Sequence, residues 1–71
     1  MKPSGYMDEV GALVRQRRKA LRVDQQTVAD LAGVSRKLVS DIERGKPTVR
    51  MDGLLAVLAA IGLTLEVVDV R

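Results

Sequence analysis

Residues 25–42 have the spacing of two short helices that cross through a tight turn. Ala29 is small where the two helices would approach each other most closely, and Gly33 lies where the chain must reverse through a positive φ that a side chain would resist. The apolar positions that would bury one helix against the other are Val28, Ala32, Val34, Val39 and Ile42. Apart from Leu38, the outward positions between them are polar or charged. The segment predicts a braced helix pair, although Gly33 could also be an ordinary C-cap within a small bundle.

Four helices are expected along the whole chain. An apolar stripe with helical spacing marks the first helix, at Val10, Leu13, Val14 and Leu21. Asp24 and Ser35 precede the second and third helices, where short polar side chains cap free backbone amides. The predicted ranges are about 8–21, 25–32 and 36–43, followed by a mostly apolar helix that begins near Asp52 and ends before Gly62.

The two ends of the chain differ from this helical part. Residues 1–7 are interpreted as a flexible tail that precedes a helical domain over residues 8–62. In residues 63–71 the pattern changes to a two-residue repeat, in which Leu63, Leu65 and Val67 alternate with Thr64, Glu66 and Val68. This repeat predicts a strand, and pairing with the same strand of a second copy would protect its edge. The alternative is an extended tail packed on its own domain.

Length and composition exclude several classes of function. A chain of 71 residues can hold one small domain, and it contains no cysteine and no histidine. Disulfides are therefore impossible, while the commonest metal ligand and the commonest general base are missing. No enzyme activity, cofactor or metal is expected. The apolar runs are short and interrupted by charge, so a cytoplasmic protein without membrane contact is expected.

Positive charge is clustered in two places, although the net charge is only +3 and the pI is about 9.8. The first cluster is Arg15, Arg17, Arg18, Lys19 and Arg22, and the second is Arg36, Lys37, Arg44, Lys46 and Arg50. Taken alone, the first cluster could equally be a solvated helix face. The second cluster brackets the predicted third helix, which favours a phosphate-bearing partner. Single-stranded RNA is disfavoured because Tyr6 is the one aromatic residue available for stacking on bases.

The helix order and the motifs together resemble the helix-turn-helix family of Cro and the phage repressors, also called the XRE family, over residues 8–62. The resemblance rests on residues 14–18, on Gln25, Ala29 and Gly33, and on residues 34–36 and 42–46. It implies a mainly α, four-helix DNA-binding domain. The short length and the ending over residues 61–68 also resemble the HipB-type antitoxins, small dimeric repressors whose C-terminal strands pair across a two-fold axis and which bind a HipA-like kinase toxin.

The family resemblance implies roles for individual side chains. It places Arg36, Lys37 and Ser40 on the face that reads base edges in the major groove, and Gln25, Arg44, Lys46 and Arg50 on phosphates of double-stranded DNA. It pairs Arg18 with Glu43 as an ion pair that holds the fold. It assigns dimerisation to Leu63, Leu65 and Val67.

Three positions depart from the family pattern. Arg22 stands where glycine is usual, so either its backbone is left-handed or the turn is built differently. Leu38 replaces a small polar residue and would either touch a thymine methyl group or pack against the loop. Arg50 stands where a serine cap often opens the fourth helix, which leaves that boundary open.

The function expected from this resemblance is a homodimeric, sequence-specific repressor that binds a pseudo-palindromic operator. Within that function, the HipB-type ending favours an autoregulating antitoxin of a toxin–antitoxin pair. A free-standing phage-type repressor and a module that chiefly neutralises a toxin are the alternatives.

Overall fold

A computed structural model describes residues 3–70 of the chain, with side chains over residues 5–70. These residues form four α-helices and no strand. The helices are α1 (Pro3–Ala20), α2 (Gln25–Ala32), α3 (Arg36–Glu43) and α4 (Met51–Ala60). The expected mainly helical, four-helix architecture is therefore confirmed.

The start of α1 differs from its prediction at about Asp8, because the helix already begins at Pro3. The interpretation of a loose tail is thus wrong for residues 3–7, while residues 1 and 2 lie outside the described part. Met7 is half-buried and packs against the core, so burial of an apolar side chain stabilises the first turns of the helix. The contact of Met7 with the core is a tertiary contact, which local sequence patterns do not indicate.

The turns around α2 follow local chemistry. The Asp24 carboxylate accepts a hydrogen bond from the Thr27 amide at 2.8 Å, and this cap opens α2. Gly33 closes α2 with a φ of 71°, in the left-handed region that favours glycine. Arg22 also has a positive φ, of 60°, so the first of the two alternatives for this position is correct.

The start of α3 is capped in the same way as α2, because the Ser35 hydroxyl accepts from the Leu38 amide at 3.1 Å. Arg50 occupies the corresponding position before α4 and makes no such bond. Instead, the Asp52 side chain accepts from the Gly53 amide at 2.7 Å. α4 therefore begins at Met51 without a side-chain cap, and the nearest acidic residue bonds the backbone of its first turn.

The buried core joins all four helices. Its members are Val14, Val28, Ala29, Val39, Ile42, Leu54, Val57, Leu58 and Ile61. α3 contacts both α1 and α2, and α2 also packs on α4. Two residues of the predicted apolar stripe in α1 lie outside this core, since Leu13 is 57% exposed and Leu21 is 44% exposed.

The C-terminal segment, residues 63–70, has no regular secondary structure. The Leu63 amide donates to the Leu58 carbonyl at 2.8 Å, and the Leu63 side chain packs against the core. A shallow groove of about 130 Å³ runs between α1 and this segment, with Leu65 on its rim. Among the described residues the predicted strand is therefore not formed, and its pairing with a second copy stays a prediction.

α1 and α3 approach each other closely at Gly11. A Cβ atom there would overlap the carbonyl oxygen of Ile42 and would lie 2.9 Å from the carbonyl oxygen of Glu43. Backbone atoms cannot rotate away as a side chain can, so the two helices would have to separate. The contact of α1 with α3 therefore needs a small residue at Gly11. It is a second such position, beside Ala29 at the predicted crossing of α2 and α3.

An ion pair between Arg18 and Glu43 links α1 to the end of α3. Nε and Nη2 of Arg18 donate to the two carboxylate oxygens at 2.6 and 3.0 Å, and the side chains are only 11% and 2% exposed. Arg18 Nη1 also donates to the Val23 carbonyl at 3.0 Å. Burial alone would raise the pKa of Glu43, but the hydrogen bonds from Arg18 and Gln25 outweigh it and hold that pKa below its usual value.

We expect Gly11→Ala to destabilise the fold by about 2 kcal/mol, because overpacking against rigid backbone forces helices apart. Urea unfolding followed by circular dichroism measures this free energy. Gly53→Ala is the matched control, since its Cβ would meet only the end of the flexible Leu38 side chain. Alanine also favours a helix over glycine by about 1 kcal/mol, so the control should lose much less stability. Equal losses in the two variants would contradict this account of Gly11.

We expect Glu43→Gln to lose about 2 kcal/mol of stability at pH 7, because Arg18 keeps its charge without an anionic partner. The folded-state pKa of Glu43 is lowered, so its contribution is complete above the unfolded pKa of about 4.3 and disappears as the pH falls through the folded value. Urea unfolding at several pH values should therefore show wild type and variant converging in acid.

The exposed carboxylate of Glu66 provides the charge-matched control for this experiment. Glu66→Gln should unfold like the wild type at pH 7. A difference between Glu43→Gln and wild type that stayed constant from pH 7 to about pH 2 would show that the lost charge is not the cause.

Candidate nucleic-acid interface

α3 presents one buried face and one open face. Val39 and Ile42 are fully buried beneath it, while Arg36 and Lys37 are exposed at its start. An α-helix with its side chains is about 10–12 Å in diameter, which fits the major groove of B-form DNA at about 12 Å wide. Since α1 and α2 both contact α3, the outward face is held on a fixed support.

The three candidate base-reading residues have different surroundings. Arg36 is exposed and has no hydrogen bond or ion pair within residues 3–70. Lys37 is also exposed, but its ammonium group donates to the Asp41 carboxylate at 3.0 Å. Ser40 is half-buried. Arg36 is thus the fully exposed one of the three whose donors make no bond within the described residues.

A buried carboxylate on α3, that of Asp41, was missed by the sequence analysis. Asp41 is only 5% exposed, and three cations surround it. They are Lys37 at 3.0 Å, Lys46 at 3.7 Å, and Arg44, whose Nη2 donates to Oδ1. The signal for part of this cluster was present in the sequence, because Lys37 and Arg44 are spaced four and three residues from Asp41 on one helix face.

The cations around Asp41 also set its charge state. The hydrogen bond from Lys37 holds the pKa of Asp41 below its usual value; burial opposes this effect, and the hydrogen bond from Arg44 adds to it. The carboxylate is therefore ionised at neutral pH. One negative charge consequently lies among the positive charges that were assigned to DNA.

The four phosphate candidates are divided between different places. Arg44 and Lys46 converge on Asp41, whereas Arg50 lies 3.8 Å from the Asp52 carboxylate. Gln25 stands at the start of α2 and donates to Oε1 of Glu43 at 3.2 Å. Its amide nitrogen keeps a second N–H for another acceptor.

Leu38 is half-buried against the core and contacts the region of Gly53 in α4. A contact between its exposed part and a thymine methyl group stays a prediction.

Arg17 has a structural contact that its sequence neighbours do not indicate. Its Nε donates to the Ile61 carbonyl at 2.8 Å and so satisfies an acceptor just beyond the end of α4. The first basic cluster therefore includes two residues, Arg17 and Arg18, that bond within the fold.

Over the described residues, no group of acidic side chains is arranged to hold a metal ion. No helix in this part of the chain is long and apolar enough to cross a membrane. Of the dimerisation candidates, Leu63 is half-buried, Leu65 is 43% exposed and Val67 is 94% exposed.

Comparisons with known proteins agree with this geometry. The family described as the helix-turn-helix domain matches residues 9–70. The HTH-type transcriptional regulator y4mF of Sinorhizobium fredii is 37% identical over 59 residues, which cover 83% of this chain and 78% of that protein.

Two further relatives are longer. An HTH-type transcriptional regulator of Haemophilus influenzae is 33% identical over 76% of this chain and 55% of its own length. A transcriptional regulator in the ATPase CF(0) region of Rhodospirillum rubrum is 37% identical over 80% of this chain and 53% of its own length. The chain thus spans about half of each of these two relatives. Together with the capped pair α2–α3 and its glycine turn, these matches show that the chain belongs to the helix-turn-helix family as an XRE-like member.

Proposed function

We propose that this chain binds double-stranded DNA as a homodimeric, sequence-specific repressor of transcription. The observation that carries the proposal is the open face of α3. Arg36 is exposed there and makes no ion pair with any residue that the structure describes, while Val39 and Ile42 on the opposite face are fully buried. Two copies of α3 would enter successive major grooves about 34 Å apart on a pseudo-palindromic operator. Occupation of a promoter would then block transcription.

The contacts divide into base reading and backbone holding. Arg36 can donate two parallel hydrogen bonds to O6 and N7 of guanine, and Lys37 can donate to the same edge. Ser40 both donates and accepts, so it discriminates less between bases. The remaining candidates, Gln25, Arg44, Lys46 and Arg50, would hold phosphates without reading sequence.

The second copy is proposed to dock on the C-terminal segment. Leu65 and Val67 leave apolar surface open to solvent, and Leu63 already connects this segment to the core. Pairing of residues 63–68 with the same residues of a second copy would bury that surface and supply the missing backbone partners. The core contains nine buried aliphatic side chains, so additional burial would add substantially to stability.

The finer part of the proposal is that the chain is the autoregulating antitoxin of a HipBA-like pair. Its support is the resemblance of residues 61–68 to the ending of HipB-type antitoxins. The partner would be a HipA-like kinase toxin, bound by surfaces that neither the DNA nor the second copy covers. A repressor without a toxin would bind DNA equally well but would co-purify with no kinase-like protein.

Selection of bound duplexes from a random pool tests the proposed function. We expect the purified protein to enrich a motif with two-fold symmetry and half-sites separated by about one helical turn, because each copy presents one α3. Sequencing of the bound pool gives both the motif and the spacing. An absence of any enriched motif would contradict sequence-specific repression, and a motif without symmetry would contradict dimeric reading.

Two arginine variants separate reading from backbone holding on the enriched duplex. Arg36→Ala should weaken binding to this duplex by roughly tenfold or more and spare random duplex, because a bidentate contact to guanine contributes about 1–3 kcal/mol of discrimination. Arg50→Ala is the matched control, because Arg50 is a phosphate candidate outside the Asp41 cluster, and it should weaken binding to both duplexes alike. Equal losses on both duplexes for Arg36→Ala would remove Arg36 from the base-reading role.

We expect Val67→Asp to shift the protein from dimer to monomer, because it places a charge in the apolar row proposed to pair. Val67 is 94% exposed, so the fold of one chain should tolerate the change. Sedimentation equilibrium measures the mass in solution. Val70→Asp is the matched control, since Val70 is 90% exposed and belongs to the alternate set of positions. Dissociation by both variants, or by neither, would contradict the proposed register.

A further inference from the structure

The cluster around Asp41 places an anion inside the proposed DNA-binding surface. The Asp41 carboxylate is 7% exposed, whereas the side chains of Lys37 and Arg44 around it are 74% and 69% exposed. The three cations therefore lie between the carboxylate and solvent. Lys37 belongs to the exposed start of α3, the part proposed to contact DNA, and the nearly buried Asp41 carboxylate contacts it at 3.0 Å.

This arrangement gives the cations an internal counterion. Sequence-independent binding to DNA is driven by Lys and Arg groups that replace small cations on phosphates. A side chain whose ammonium group already contacts a carboxylate at 3.0 Å gains less from a phosphate than a free one does. The contact also fixes Lys37, because its spacing of four residues from Asp41 keeps the ammonium group beside α3.

We propose that Asp41 is a specificity-determining residue, which restrains Lys37, Arg44 and Lys46 from the phosphates of non-cognate DNA and thereby suppresses sequence-independent binding. At a cognate site Lys37 keeps the orientation that Asp41 imposes, and Arg36 adds its contact to a base. On other sequences no base contact compensates for the phosphate contacts that the restraint prevents, so the affinity for those sequences is lower. The inference rests on the proposed DNA binding.

The test compares wild type with Asp41→Asn on a random-sequence duplex and on the enriched duplex, over a range of salt concentrations. We expect the variant to bind random duplex about tenfold more tightly, with a salt slope steeper by about one phosphate contact. Affinity for the enriched duplex should change less than threefold, so the ratio of the two affinities should fall. Fluorescence anisotropy gives all four binding curves.

A matched control separates this local effect from total charge. Asp30→Asn removes the same charge from α2, where the Asp30 carboxylate accepts only from the exposed Gln26 amide at 2.9 Å. It should leave the ratio of affinities unchanged. The inference would be overturned if Asp41→Asn bound random duplex no more tightly than the wild type or Asp30→Asn does. It would also be overturned if Asp41→Asn gained equal affinity for both duplexes.

A second substitution identifies which cation is released. Lys37→Gln added to Asp41→Asn should remove most of the gain in affinity for random duplex, and retention of the full gain would contradict the restraint of Lys37.

Asp41→Ser is measured beside Asp41→Asn, with the folding of both variants checked by circular dichroism. Failure of both to fold would overturn the inference by making Asp41 a requirement of the fold. If the wild type bound neither duplex, the proposed function itself would fail. If the wild type bound DNA and the Asp41 variants bound both duplexes with the same affinities as the wild type, only the role of Asp41 would be refuted.

Discussion

The ion pair between Arg18 and Glu43 connects the three helices that surround the turn. Arg18 extends from α1 to the carboxylate at the end of α3 and to the Val23 carbonyl before α2, while Gln25 at the start of α2 donates to the same carboxylate. Apolar contact is not directional, so a core of aliphatic side chains leaves the angles between short helices weakly defined. The bidentate contact between Arg18 and Glu43 is directional and therefore helps to define these angles. Because both side chains are almost buried, the loss of either leaves an uncompensated charge.

Two glycines bring α1 against the end of α3 closely enough for this pair to form. A Cβ at Gly11 would overlap the backbone of α3, and a Cβ at Gly45 would lie 3.0 Å from the Cα atom of Asp8. The close approach therefore involves backbone on both sides, which makes it insensitive to side-chain rotation. It also restrains only the C-terminal half of α3. The exposed start of α3, which carries Arg36 just after the Ser35 cap, lies outside this contact.

Features that depend on neighbours three or four residues apart could be predicted from the sequence. The caps at Asp24 and Ser35 and the left-handed Gly33 are of this kind, whereas the sequence leaves the turn at Arg22 open between two conformations. The start of α1 could not be predicted, because the burial of Met7 depends on packing against the core. The bond from Arg17 to Ile61 spans 44 residues, and nothing in either neighbourhood indicates it. Periodicity likewise shows which residues share a helix face but leaves open how deeply each is buried, and Leu13 and Leu21 are more exposed than their stripe suggested.

The division of α3 into supporting and outward residues has a consequence for recognition. A helix of eight residues is unstable alone, so its rigidity comes from Val39 and Ile42 beneath it and from Glu43 at its end. None of these three lies on the open face. Under the proposed function, outward side chains such as Arg36 can therefore change, and with them the preferred DNA sequence, while the helix keeps its support. Asp41 is the exception, because it is buried with the supporting residues and yet contacts the outward cations. Changes in packing and changes in recognition are thus coupled at this one position of α3.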